Sequence, residues 1–166
     1  MIFETVKNIL IEKFGEDVIV AEEREQKQPA LVINPTLIAQ VCLTLRNHPD
    51  TWFDFLSCLS AIDYGVEAQK FGVVYHLSSI IKNHQIVLKV ILDNDRDIHN
   101  LPVFQSVSAV YKSAEWHERE AFDMVGVAFE NHPDLRRILL PDDWEGYPLR
   151  KDYQNAETYH NIKIDY

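Results

Sequence analysis

The chain has 166 residues, 46% apolar and 25% charged, with a formal net charge of −10 at pH 7. These values describe one globular domain with a modest core, and they argue against nucleic acid or anionic lipid as a direct partner, since both want a basic surface. No run approaches the roughly 18 uncharged apolar residues of a membrane span, and an N-terminus with acids inside its apolar pattern does not read as a signal peptide. If the chain works at a membrane, another protein must hold it there.

Ile2, Phe3, Val6, Ile9, Leu10 and Phe14 share one face of a helix over 2–14 that Gly15 ends. Val18–Ala21 and Leu31–Ile33 read as strands around the polar turn EEREQKQP. Asn34 caps, and Pro35 opens, a helix to about Asn47, with Leu37, Ile38, Val41, Cys42 and Leu45 at helical spacing; His48-Pro49-Asp50 stops it. The apolar stretch from Trp52 to Gly65 reads as a short helix first and a strand from about Cys58. Phe71–Ile80 and Gln85–Leu92, rich in β-branched and aromatic residues, predict a hairpin through Lys82-Asn83-His84. DNDRDIHN is a polar loop. Val103, Val107, Val110, Tyr111, Ala114, Ala121 and Phe122 trace a broken helical pattern over 103–124, and periodicity is lost after Gly126. The tail from Gln154 is polar enough to be mobile or to wait for a partner.

The predicted fold class is α+β in two layers: two N-terminal helices on a mixed sheet of four or five strands, within an α+β domain over 1–125. An extended, mostly irregular C-terminal arm and tail over 126–166 follows, the two parts forming one structural unit.

Several chemistries lack their residues. Gly15, Gly65, Gly72, Gly126 and Gly146 are never one residue apart, so no GxGxxG turn or P-loop can form. Cys42 and Cys58 are isolated in apolar surroundings; they read as buried thiols and cannot supply four thiolates to an iron–sulfur cluster. There is no GxSxG elbow. His117-Glu118 starts like a zinc-protease motif, but Ala121 stands where HExxH needs its second histidine. His117 and His132 are read as bonded to backbone or acids, with a metal or proton-relay role as the weaker alternative. His48, His76, His84, His99 and His160 show no ligand spacing.

Trp116–Tyr153 is the richest segment. It is dense in carboxylates and large apolar side chains, and it holds four of the chain's seven arginines. A planar guanidinium can grip a carboxylate with two parallel bonds, so arginines gathered here predict ions held at fixed geometry, inside the fold or across a subunit boundary. Glu120 and Asp123, three apart, would share a helix face, but nothing nearby supplies a nucleophile, which disfavours a catalytic dyad. Leu135, Ile138, Leu139 and Leu140 form an apolar anchor around Arg136-Arg137. Pro141, Gly146 and Pro148 leave Trp144, Tyr147 and Tyr153 at turns, where Trp, Tyr and Arg make interface hot spots.

ERExxDMxG at Glu118–Gly126, then HPDLRRILLPDDWEGYPLRKDY at His132–Tyr153, closely resembles the signature of the 30-kDa subunit family of respiratory complex I, the bacterial NADH–quinone oxidoreductase. AIDYG, FGVVYHLSS and VSAVYKSAEWHERE extend the likeness over residues 1–153. Val125, Tyr147 and Gln154 depart from the family's more common residues.

The resemblance implies a cofactor-free scaffold of the peripheral arm, beside the quinone-site (49-kDa) subunit and the iron–sulfur subunits. The whole complex would pass electrons from NADH through FMN and clusters to quinone, at the cytoplasmic side of the bacterial inner membrane. It also implies that Glu118, Arg119, Glu120 and Asp123 organise the signature helix. Asp134, Arg136, Arg137, Arg150 and Lys151 would hold the arm, with His132, Trp144 and Tyr153 also in the interface set. Two other readings stay open: the equivalent subunit of a membrane-bound hydrogenase or another donor-dependent dehydrogenase, and a stand-alone metal-dependent hydrolase using His117, Glu120 and His132.

Overall fold

A computed structural model describes residues 2–164. Helices α1 (Ile2–Phe14) and α2 (Ile38–Asn47) and strands β1 (Ile19–Glu23), β2 (Ala30–Ile33), β3 (Phe55–Asp63), β4 (Lys70–Ser79) and β5 (His84–Asp93) form the main body. The sheet runs β1-β2-β5-β4-β3; β2 and β5 are parallel and the other pairs antiparallel. The chain is therefore α+β with a five-stranded mixed sheet, as its pattern of elements predicts.

One face of this sheet carries the core. Val6 and Leu10 of α1 and Ile38, Val41, Cys42 and Leu45 of α2 pack, fully buried, with Leu31, Phe71, Tyr75 and Leu88 from the strands. Burying each such aliphatic or aromatic side chain contributes about 1.5–3 kcal/mol. On the opposite face Ala30, Val74 and Val87 form a small cluster. There the turn after β1 folds back, with Gln28 bonded to His76 and Glu23 paired to Lys89. Asn34 Oδ1 accepts the Thr36 amide at 3.1 Å, so the predicted cap is present, and Pro35–Leu37 form a 3-10 turn leading into α2.

Two predicted helical stretches are corrected. Residues 52–57 form no helix: Trp52 sits in a turn at φ 45°, and the strand already begins at Phe55. A short apolar run has the same composition in either state, so periodicity cannot separate them. The helix expected over 103–124 is α3, Ala114–Val125. Val103–Gln105 is instead strand β6, parallel to β7 (Ala128–Glu130). Between β6 and α3 the Ser106 hydroxyl accepts the Ser108 amide at 3.1 Å, a local bond that competes with helix formation.

Cys58, expected to be buried, is only partly so on β3, whereas Cys42 is fully buried. In the tail, β8 (Thr158–Tyr159) and β9 (Ile162–Lys163) make a minimal hairpin whose Tyr159 ring meets Trp144 at 5.4 Å. Residues 165–166 of the tail lie outside the described residues.

The candidate functional site

The signature lies on α3 and on the arm that folds back over its C-terminal end. Gly126 closes α3 in the left-handed region, at φ 72°, with its amide bonded to the Phe122 carbonyl. A Cβ there would stand 2.4 Å from the Tyr147 ring, so glycine serves both the helix end and the close approach of the arm.

Asp123, fully buried, is the centre of this contact. Its Oδ2 accepts the amides of Ile138, Leu139 and Leu140 at 3.0, 2.7 and 2.9 Å, and Oδ1 pairs with the Arg137 guanidinium at 2.7 Å. Burial alone would raise the Asp123 carboxyl; the three amides and the arginine outweigh it and hold it below the usual carboxylate range. Arg137 then donates to the carbonyls of Trp144 and Gly146 and lies over the Tyr147 ring. One carboxylate and one guanidinium thus set the path of the arm from 137 to 147.

Arg150 is buried but meets no carboxylate directly. It donates to the carbonyls of Val125, Gly126 and Arg96 at 2.9–3.1 Å and is stacked between Phe71 and Tyr147. Its planar fork suits the acceptors left at the end of α3, where the helix dipole is negative. Arg119 likewise bonds the carbonyls of Arg136 and Arg137. Two of the four signature arginines therefore grip main chain where carboxylates were expected. Asp134 and Arg136 form a local, exposed pair at 2.9 Å, worth little to stability. Lys151 contributes its amide, not its ammonium, to Asp63, and the Tyr153 amide closes a turn onto the Arg150 carbonyl.

Glu118 and Glu120, two residues apart on α3, have opposite surroundings. Glu120 is exposed; Glu118 is fully buried, accepting the Ser106 hydroxyl at 2.6 Å and the Val107 amide at 2.7 Å. His132 Nε2 lies 3.8 Å from Glu118 and 3.1 Å from the Glu115 carbonyl, while its Nδ1 accepts the Asp134 amide. Burial pushes the Glu118 carboxyl up to about 7, against those two bonds to its ionised form. The sign follows. In the unfolded chain the group titrates at about 4.3, so folding takes up a proton between that pH and 7, and stability falls as pH rises through this window. From roughly pH 5 to pH 8 the expected fall is about 2–3 kcal/mol. Glu118→Gln should flatten it, as thermal unfolding across the same range would read.

Arg96, in the loop after β5, builds a second centre that sequence patterning does not reveal. It makes a two-pronged bridge to Asp63 at 2.8 and 2.7 Å and a third bond to Asp152 at 2.7 Å. Asp63 also accepts the amides of Gly65 and Lys151. Burial opposes ionisation of Asp63, yet Arg96 and the two amides hold its carboxyl far below the usual range. The available signals were the lone arginine in the acidic run DNDRDIHN and the aspartate of AIDYG.

His117, Glu120 and His132 are not brought to one point. His117 and Glu120 border a cleft beside β3, and His132 is turned toward Glu115 and Glu118. Among the described residues no three His, Cys, Asp or Glu side chains are grouped to hold a metal ion. No helix among them is long and apolar enough to cross a membrane.

Sheet, signature helix and back-folded arm together define an α+β module whose most ordered charges tie its own elements together. Residues 31–159 match the family model described as respiratory-chain NADH dehydrogenase, 30 Kd subunit, and the chain belongs to that family. It is 43% identical over 160 residues to the C subunit of the NADH-quinone oxidoreductase of Chlorobium phaeobacteroides, covering 96% of this chain and 93% of that one. To the protein of the same name from Chloroherpeton thalassium it is 39% identical over 98% of its length, and to that of a Caulobacter strain 48% over 77%. The match spans 65% and 56% of those two longer relatives. The fold is also similar, with a TM-score of 0.70, to a chain in the structure of the membrane-bound sulfane sulfur reductase, an archaeal respiratory membrane complex. That likeness covers 92% of this chain and 85% of the other at 23% identity, and it shows the fold alone.

Proposed function

We propose that this chain is a scaffold subunit of the peripheral arm of a proton-pumping NADH–quinone oxidoreductase, at the cytoplasmic side of the bacterial inner membrane. It would hold the quinone-site subunit and the iron–sulfur subunits in register, while FMN and the clusters sit on other chains. Family membership gives the setting. The observation that carries the scaffold role is the Asp123–Arg137 contact, which turns an irregular arm without helix or long strand into a surface of fixed shape. A preformed surface avoids the ordering cost that a floppy arm would add to assembly.

Two isolated cysteines, one of them in the apolar core, fit poorly with a cluster held by this chain. The equivalent subunit of a complex with another electron donor would share this fold, but the relatives of 39–48% identity all carry the NADH–quinone name. Affinity capture of the tagged chain from membranes tests the reading: a large assembly bearing flavin and clusters is expected. Arg137→Ala should lower the amount of assembled complex at least about threefold and leave turnover per assembled complex unchanged. Normal assembly with lost turnover would contradict a scaffold role.

A further inference from the structure

The end of the sheet where β3 begins and the β4–β5 turn closes carries large apolar side chains in water. Trp52, Phe55, Ile80 and Ile81 are 45%, 46%, 70% and 74% exposed. Their backbones are held together. Asp54 Oδ1 accepts the Ile80 amide at 3.2 Å, Phe55 stands opposite Ser78 in the ladder, and His84 Nε2 donates to the Thr51 carbonyl. The four residues leave on the order of 500 Å² of mostly apolar surface uncovered, toward the upper limit for the patches of monomeric proteins.

Neither local geometry nor burial accounts for these side chains. Trp52 lies in the left-handed region at φ 45°, where a bulky residue is strained and asparagine or glycine fits at less cost. Ile80 and Ile81 lead the turn over residues 80–83, a place where small and polar residues are the rule. That turn closes without their side chains. Ser79 Oγ accepts the Lys82 amide at 3.2 Å, and Asn83 supplies the left-handed residue at φ 51°. Strained backbone kept beneath a half-exposed tryptophan points to a use outside the chain.

Charge narrows the partner. Among residues 51–57 and 78–84 only Asp54 and Lys82 are charged, with opposite signs, whereas the whole chain carries −10. We infer that this end of the sheet docks against an apolar, uncharged surface of a neighbouring subunit polypeptide, with Trp52, Ile80 and Ile81 as anchors. The inference rests on the scaffold reading and gives it a specific contact. An uncharged partner surface covers such anchors without stripping water from unpaired ions. A second copy of this chain fits worse. A lasting dimer needs about 800 Å² from each copy, more than this patch offers, and two chains of −10 repel one another. A patch of this area suits one contact among several in a larger assembly.

Ile80→Ser combined with Ile81→Ser should lower recovery of the flavin- and cluster-bearing assembly by the tagged chain about tenfold. The thermal midpoint of the isolated variant should match that of the wild type. Trp52→Asn should also lower recovery, and its isolated midpoint should change little, because relief of the backbone offsets the lost burial of the ring. Hydroxyl-radical labelling of Trp52 and Phe55 should fall several-fold from the isolated wild-type chain to the assembly purified from membranes. Should the serine variant unfold, this labelling decides.

Full recovery with both isoleucines replaced, or equal labelling of Trp52 in the two states, would overturn the assignment and leave the scaffold reading in place. Dimerisation of the isolated chain through these residues would overturn it as well. So would binding of that chain to phosphatidylcholine vesicles that the serine variant loses. If the wild-type chain captures no assembly, the scaffold reading falls with it.

Discussion

Asp123→Ala is expected to destabilise the protein by about 4–5 kcal/mol and to release the arm from α3. The substitution strands the Arg137 guanidinium against an interior surface and removes the acceptor of three amides, Ile138, Leu139 and Leu140. Breaking one half of a buried ion pair costs more than the pair contributes when intact, because the remaining guanidinium, still bonded to the Trp144 and Gly146 carbonyls, is left without a counter-charge where little water reaches it. Domains of this size have total stabilities of about 5–15 kcal/mol, so the loss would be a large share. Urea unfolding should show a lower midpoint, and limited proteolysis should cut near 138–149 under native conditions. Asp123→Asn keeps the shape and one acceptor oxygen, so it should lose about half as much. An arm that stays protease-resistant in Asp123→Ala would mean that Tyr147 and Arg150 hold it without the carboxylate.

Arg96→Ala is expected to cost about 3–5 kcal/mol and to shift acid unfolding to higher pH. Arg96 joins the end of β3, through Asp63, to the arm, through Asp152 and through Arg150, whose guanidinium donates to the Arg96 carbonyl. Without the guanidinium, Asp63 keeps only the two amides as partners for a charge that is 7% exposed. The pH effect has a defined sign. A carboxyl held below its unfolded value contributes stability that is present above that value and lost as pH falls through the folded one. Wild type should therefore keep this contribution until well below the usual carboxylate range. Arg96→Ala, in which Asp63 titrates higher, should give it up sooner on acidification. A far-ultraviolet circular dichroism titration of both proteins would show whether the two acid transitions separate.

Local patterning carries most of the fold. α1 and α2 follow from apolar spacing and from the stops at Gly15 and His48-Pro49, and the β4–β5 hairpin follows from two β-branched runs and a short polar turn. Those signals lie within a few residues of one another, so they survive without knowledge of the rest of the chain. The stretch from Trp52 to Phe55 and the segment from Val103 to Ser113 do not yield to the same reasoning. In the first, a turn at Trp52 admits the strand early; in the second, pairing of β6 with β7 and the Ser106 bonds displace a helical pattern that is only partial.

At the site, family, composition and the gathering of arginines between Arg119 and Arg150 are legible in the order of residues alone. Which ions meet is settled by folding. Helix spacing places Glu120 and Asp123 on one side, yet of the carboxylates on α3 it is Glu118 and Asp123 that are buried while Glu120 is in solvent, because β3, the 106–108 turn and the arm surround α3 unevenly. Asp63 and Arg96 lie 33 residues apart, and Asp152 lies 56 beyond Arg96. No periodicity links positions at such separations. Their pairing exists only because the sheet and the arm bring them to one place and remove the water that would otherwise solvate each charge.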